Sequence, residues 1–70
     1  MTDRKPPSHY VNHAEQHIAL GNIELAIAYI NSARAVSYGH GRRARYEQWA
    51  DQLAQKHGVE RHQNFAGDYQ

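Results

Sequence analysis

Cysteine is absent from the 70 residues of the chain. Its absence excludes a disulfide scaffold, a zinc site ligated by cysteine, a redox dithiol and a thiol nucleophile. An apolar run of about 18 residues is also absent, so we expect no membrane span. No apolar stretch follows the basic residues Arg4 and Lys5, and we therefore expect no signal peptide and a cytoplasmic protein.

An excess of charge of either sign is lacking as well. Eight lysines and arginines stand against seven aspartates and glutamates, which gives a formal net charge of +1. By itself this balance indicates neither a nucleic acid nor a membrane as partner. A chain of this length buries little more than half of the surface that its unfolded form exposes. We therefore expect a metal or a partner to supply part of its stability, and we do not expect a closed enzyme pocket.

Strand-like alternation is not found, whereas apolar residues recur at three- and four-residue spacing in three segments. This spacing is typical of helices that bury one face. Three helices are predicted, over residues 9–20, 23–37 and 42–57. Ser8 and Asn22 are suitable N-caps for the first two helices. Gly21 and Gly58 suit the left-handed position that ends the first and the third.

The short connections between these segments predict an all-α fold, a small antiparallel three-helix bundle. A turn with two glycines is expected at residues 38–41. The expected organisation is a flexible lead at 1–7, the helical domain at 8–58 and a polar tail at 59–70, in which Phe65 and Tyr69 are isolated. The predicted core residues are Ile27, Ile30, Trp49 and Leu53. Antiparallel packing would also bring together the aromatic residues Tyr29, Tyr38, Tyr46 and Trp49.

One stretch follows the spacing of a known family at Gly21, Ile23, Ala26, Ile30 and Ala33. With Tyr10 at the family's large aromatic position, residues 10–38 resemble a single degenerate tetratricopeptide repeat. His13 and His17 replace a leucine and an aromatic residue of that pattern, and Tyr38 stands where a proline is expected. The resemblance implies a tight helical hairpin with the third helix as a cap. A single repeat lacks the concave groove of stacked repeats, so peptide recognition is not carried over to any residue.

The second predicted helix has two apolar faces, and its two neighbours can cover only part of its circumference. We expect the side that carries Leu25, Tyr29 and Val36 to remain open and to form an interface. Its partner would be another protein or a second copy of this chain. The first hypothesis is therefore a small helical protein-interaction module without enzymatic activity, of the kind found among bacterial or phage accessory factors.

Four arginines, Arg34, Arg42, Arg43 and Arg45, cluster around the second predicted turn. The last three fall in the predicted first turn of the third helix, where a positive charge costs about 0.3–1 kcal/mol. Glu47 lies four residues after Arg43 and would offset part of this cost. Such a cluster indicates an anionic partner unless it is simply a solvated turn. The alternative hypothesis is thus a nucleic-acid-binding or transcription-regulating module, although the glycine-rich turn fits a helix-turn-helix poorly.

Histidines recur at four-residue intervals on the first helix, at His9, His13 and His17. Two imidazoles at this spacing can share a metal ion, but the nearby Glu15 lies on another face and supplies no third ligand. We therefore predict neither a metal nor a cofactor. The acidic pair Glu47 and Asp51 is more typical of a solvated helix face than of a catalytic dyad, and no catalytic residues are predicted.

Overall fold

The computed structural model describes residues 5–61. This part of the chain forms three helices, α1 (Pro7–Ala19), α2 (Ile23–Val36) and α3 (His40–His57). Connections of three residues join them, so successive helices run antiparallel. The central helix α2 packs against both neighbours, whereas the Cα atoms of α1 and α3 stay more than 8 Å apart. The predicted all-α three-helix bundle is confirmed.

The first helix begins earlier than its sequence pattern indicates. Pro7 occupies its first position and Pro6 its N-cap position, where the Pro6 carbonyl accepts a hydrogen bond from the His9 amide at 3.0 Å. Proline suits the first helical position because its φ is already helical and its missing N–H has no partner there in any case. The prediction of Ser8 as N-cap is therefore wrong, because Ser8 lies inside the helix.

The connection between α1 and α2 matches its prediction closely. Gly21 follows the C-cap Leu20 and has a φ of 83°, the left-handed conformation expected of it. The Gly21 amide donates to the Ile18 carbonyl and the Asn22 amide donates to the His17 carbonyl. These two hydrogen bonds are the pair that defines a Schellman motif. Asn22 is the N-cap residue of α2, but its side chain makes no capping hydrogen bond.

The second connection is shorter than predicted. The helix α3 starts at His40, so Gly41 lies inside it and the expected turn at 38–41 is wrong in its second half. The reversal is concentrated at Gly39, whose φ of 91° and ψ of 137° are accessible to glycine alone. At the far end of α3, Gly58 adopts the left-handed conformation that its position predicts, with a φ of 65°.

The core is built largely from small residues that allow the helices to approach closely. The buried cluster comprises Ala14, Ile23, Ala26, Ile27, Ile30, Ala50, Leu53 and Ala54. Of the four predicted core residues, Ile27, Ile30 and Leu53 are buried, whereas Trp49 packs half-buried at the edge. Buried alanines are a requirement of any closely packed helical hairpin, so kinship with the tetratricopeptide family stays a prediction.

The packed unit continues beyond residue 58, where the polar tail was expected to begin. Val59 packs against the core, and Arg61 makes polar contacts with α2 and α3. Phe65 and Tyr69, and the lead before residue 5, lie outside the described residues. Within residues 5–61, no helix combines the length and the apolar character that crossing a membrane requires.

Candidate functional site

Three arginines of the predicted basic cluster are exposed on the first half of α3. Because α3 begins at His40, Arg42 and Arg43 lie in its first turn and Arg45 in its second. None of the three forms an ion pair within the described part of the chain. Their guanidinium groups are therefore open to an external anion.

Glu47 does not compensate Arg43 as its spacing predicts. Its carboxylate accepts a hydrogen bond from Arg61 Nη2 and lies 3.8 Å from Arg34 Nε. The side chain of Arg34 thus turns toward Glu47, and its Nε atom is buried without a hydrogen-bond partner. Of the four predicted arginines, Arg34 is therefore paired with a carboxylate, whereas Arg42, Arg43 and Arg45 make no ion pair among the described residues.

Arg61 holds the end of the described chain against two helices. Its Nη1 donates to Asn31 Oδ1 of α2 at 3.0 Å, and its Nε and Nη2 donate to Asp51 and Glu47 of α3. The acidic pair of Glu47 and Asp51, predicted as a solvated face, therefore binds this guanidinium group. Sequence reasoning missed Arg61; the feature that could have indicated it is the pair of carboxylates one helical turn apart, which repel each other unless a cation lies between them.

The distribution of charge along the bundle is uneven although its net charge is close to zero. Antiparallel packing brings the start of α1, the end of α2 and the start of α3 to one end of the molecule. Carboxylates are absent from these three stretches, residues 5–14, 30–36 and 40–46. Lys5, Arg42, Arg43 and Arg45 are the exposed lysine and arginine side chains of this end, which we call the basic end.

The three residues predicted to form a protein-interaction face, Leu25, Tyr29 and Val36, do not share one open surface. Leu25 is 41% exposed, and Val36 is half-buried at the end of α2. Tyr29 instead lies between α1 and α2, with its ring centroid 5.0 Å from that of His13 and 5.3 Å from that of His17. Both imidazoles stack on it at interplanar angles of 15° and 11°. Tyr29 is therefore a contact within the hairpin rather than the centre of an open face.

Large apolar side chains are exposed at both ends of the bundle. Leu20 is 72% exposed and lies with Leu25 at the connection between α1 and α2. Tyr38 is 91% exposed in the connection that leads into α3. The expectation that Tyr38 packs beside Tyr46 and Trp49 is therefore wrong, and its ring stands next to the basic end instead.

The histidine stripe of α1 is occupied by ring contacts. His9 meets His13 edge to face at a centroid distance of 4.5 Å, and His13 and His17 stack on Tyr29 as described above. Within residues 5–61, no three histidine, aspartate or glutamate side chains are placed to hold one metal ion. The imidazoles of His13 and His17 therefore act here as part of the interface between α1 and α2.

Comparison of the chain with protein-family models, with curated proteins and with solved structures found no match. The surface of the bundle is therefore the guide to its function.

Proposed function

We propose that the chain is a small non-enzymatic binding module whose partner is a nucleic acid, held through its phosphates by the basic end. The observation that carries the proposal is the lack of any acidic partner for Arg42, Arg43 and Arg45 within the described residues. Glu47, the carboxylate nearest to them along α3, is already engaged by Arg61 and Arg34. Three free guanidinium groups within four residues match the repeating negative charge of a phosphodiester backbone.

The energetics of α3 also support a role for these arginines in binding. Arg42 and Arg43 lie at the positive end of the helix dipole, and each costs about 0.3–1 kcal/mol there. No acidic residue occurs in the first turn of α3 to offset this cost. A phosphate bound at this end would neutralise the cluster and remove the conflict.

Contact with another protein is the second candidate function, and the exposure of Leu20 and Leu25 favours it. The two leucines lie at the connection between α1 and α2, away from the basic end. Their combined apolar surface is far below the roughly 800 Å² that each partner contributes to a stable interface. With Tyr29 engaged by α1, this surface supports a small contact, with a second copy or another protein, rather than an extensive dimer.

A gel shift at low salt tests the proposal directly. We expect the parent to shift nucleic acid with a salt dependence of about −2 to −3 in log K against log salt, as three phosphate contacts require. Replacing Arg42, Arg43 and Arg45 by glutamine should abolish the shift. Within α3, Arg42→Gln should weaken binding, whereas Lys56→Gln at the opposite end is the matched control and should leave it unchanged.

Recovery of partners from lysate, with and without nuclease, separates the two candidates. Loss of the recovered material on nuclease treatment supports the nucleic-acid partner. A protein that is retained after nuclease and lost with Leu20→Ser supports the second candidate. Absence of any shift by the parent at low salt overturns the proposed function.

A further inference from the structure

Tyr38 is the most exposed of the large apolar side chains that the structure describes. The other described tyrosines, Tyr10, Tyr29 and Tyr46, are buried or pack against the core or α1. Burying the ring of Tyr38 against a partner would recover the cost of leaving most of it in water. Among the tyrosine and tryptophan side chains of the described bundle, Tyr38 is the one left largely uncovered, and it lies in the connection at the basic end.

The backbone on both sides of Tyr38 is held in place. On one side, Ser37 Oγ donates to the Ala33 carbonyl at 2.6 Å and the Ser37 amide donates to the Arg34 carbonyl at 3.2 Å. On the other, the carbonyl of Gly39 accepts a hydrogen bond from the Arg43 amide at 3.3 Å. The ring is therefore carried by a short connection that is anchored in two helices and leads directly into the helix of the arginines.

We infer that the basic end selects single-stranded over duplex nucleic acid, with an unpaired base stacked on Tyr38 and the adjoining phosphates on Arg42, Arg43 and Arg45. This inference rests on the proposed function and adds the class of nucleic acid. An aromatic ring beside a basic surface is the combination that binds unpaired strands, because every base offers a face for stacking. In a duplex both faces of each base are already covered, and Tyr38 would find a partner only after unstacking. Recognition of this kind is sequence-tolerant.

The decisive measurement is fluorescence anisotropy at low salt with a labelled oligothymidylate strand and with a labelled duplex of the same length. The parent should bind the single strand more tightly than the duplex. Tyr38→Ala should weaken single-strand binding about 10-fold, within the range of one lost base stack, and leave duplex binding nearly unchanged. Tyr38→Phe keeps the ring and should recover most of the loss.

Leu20→Ala is the matched control, because it shortens an exposed apolar side chain at the other end of the bundle, and it should bind like the parent. Equal binding of both oligonucleotides by the parent overturns the inference, as does an unchanged affinity of folded Tyr38→Ala for the single strand. If the triple arginine variant still loses binding in that case, the proposed function stands. Should Tyr38→Ala fail to fold, the parent's ratio of single-strand to duplex affinity decides the question. A parent that binds neither oligonucleotide contradicts both proposals.

Discussion

At the scale of single residues, Arg61 shows how one side chain can join elements that are distant in sequence. It is separated by 30 residues from Asn31 and by 10 from Asp51, and it bonds to both. The planar guanidinium suits this task because its donors point in fixed, diverging directions. Removing it would leave the buried Asn31 oxygen with one hydrogen bond fewer and two carboxylates facing each other.

We expect Arg61→Ala to lower the free energy of unfolding by about 1–2 kcal/mol, below the upper range for charged hydrogen bonds because both carboxylates are half-exposed. Arg61→Lys should recover only part of this loss, since an ammonium cannot serve three acceptors in the same geometry. Urea denaturation measures both. Lys56→Ala, an exposed cation on α3, should change stability by less than about 0.5 kcal/mol. A full recovery by lysine would show that charge alone matters.

These contacts also mark where sequence reasoning stops. The burial of Ile27, Ile30 and Leu53 follows from helical periodicity, a local signal, and these residues are buried as predicted. The pairing of Arg61 with Glu47 depends on how the chain returns to α2 and α3 after Gly58. Spacing within one helix indicated Arg43 as the partner of Glu47, because residue spacing identifies only pairs along the same helix.

At the scale of the elements, the bundle depends on its glycines at helix ends. At two of them, Gly39 and Gly41, adding a side chain should have opposite effects on stability. Gly39 has a φ of 91° and precedes α3, whereas Gly41 lies inside α3, where a methyl group on its Cα would meet no atom within 4 Å.

The helices themselves were predictable from their periodicity. The start of α2 at Ile23 was also predicted, but the starts of α1 and α3 were not, because Pro7 and Gly41 serve as first-turn residues that local propensity treats as breaks.

We expect Gly39→Ala to destabilise the fold by about 1–3 kcal/mol, because alanine is strained at this φ. Gly41→Ala should stabilise it by up to about 1 kcal/mol, since alanine loses less backbone freedom in a helix. Thermal melts followed by circular dichroism compare the two variants directly. Equal effects from both substitutions would mean that the connection can change its conformation freely.

At the scale of the whole molecule, the basic end makes the stability of the bundle depend on salt. Replacing Arg42, Arg43 and Arg45 by glutamine removes repulsion between like charges and the conflict with the dipole of α3. At low ionic strength this variant should be more stable than the parent by about 1 kcal/mol, which corresponds to a rise in Tm of about 4–8 °C.

Near 1 M salt, where the screening length is about 3 Å, the difference should largely disappear. Melting curves of the parent and the variant over a series of salt concentrations provide the measurement. A variant that melts below the parent at low salt would indicate that the arginines hold the fold together through contacts of their own.

The separation of α1 from α3 has a consequence for how the bundle opens. Each outer helix is held to the rest chiefly through α2, so either one can detach while α2 keeps its other partner. Amide hydrogens of α2 should therefore exchange with solvent most slowly, and those of α1 and α3 should exchange through separate partial openings. Hydrogen–deuterium exchange under native conditions should then resolve two independent opening events, one for α1 and one for α3. Both should have a lower free energy of opening than α2, whose amides should exchange only on global unfolding.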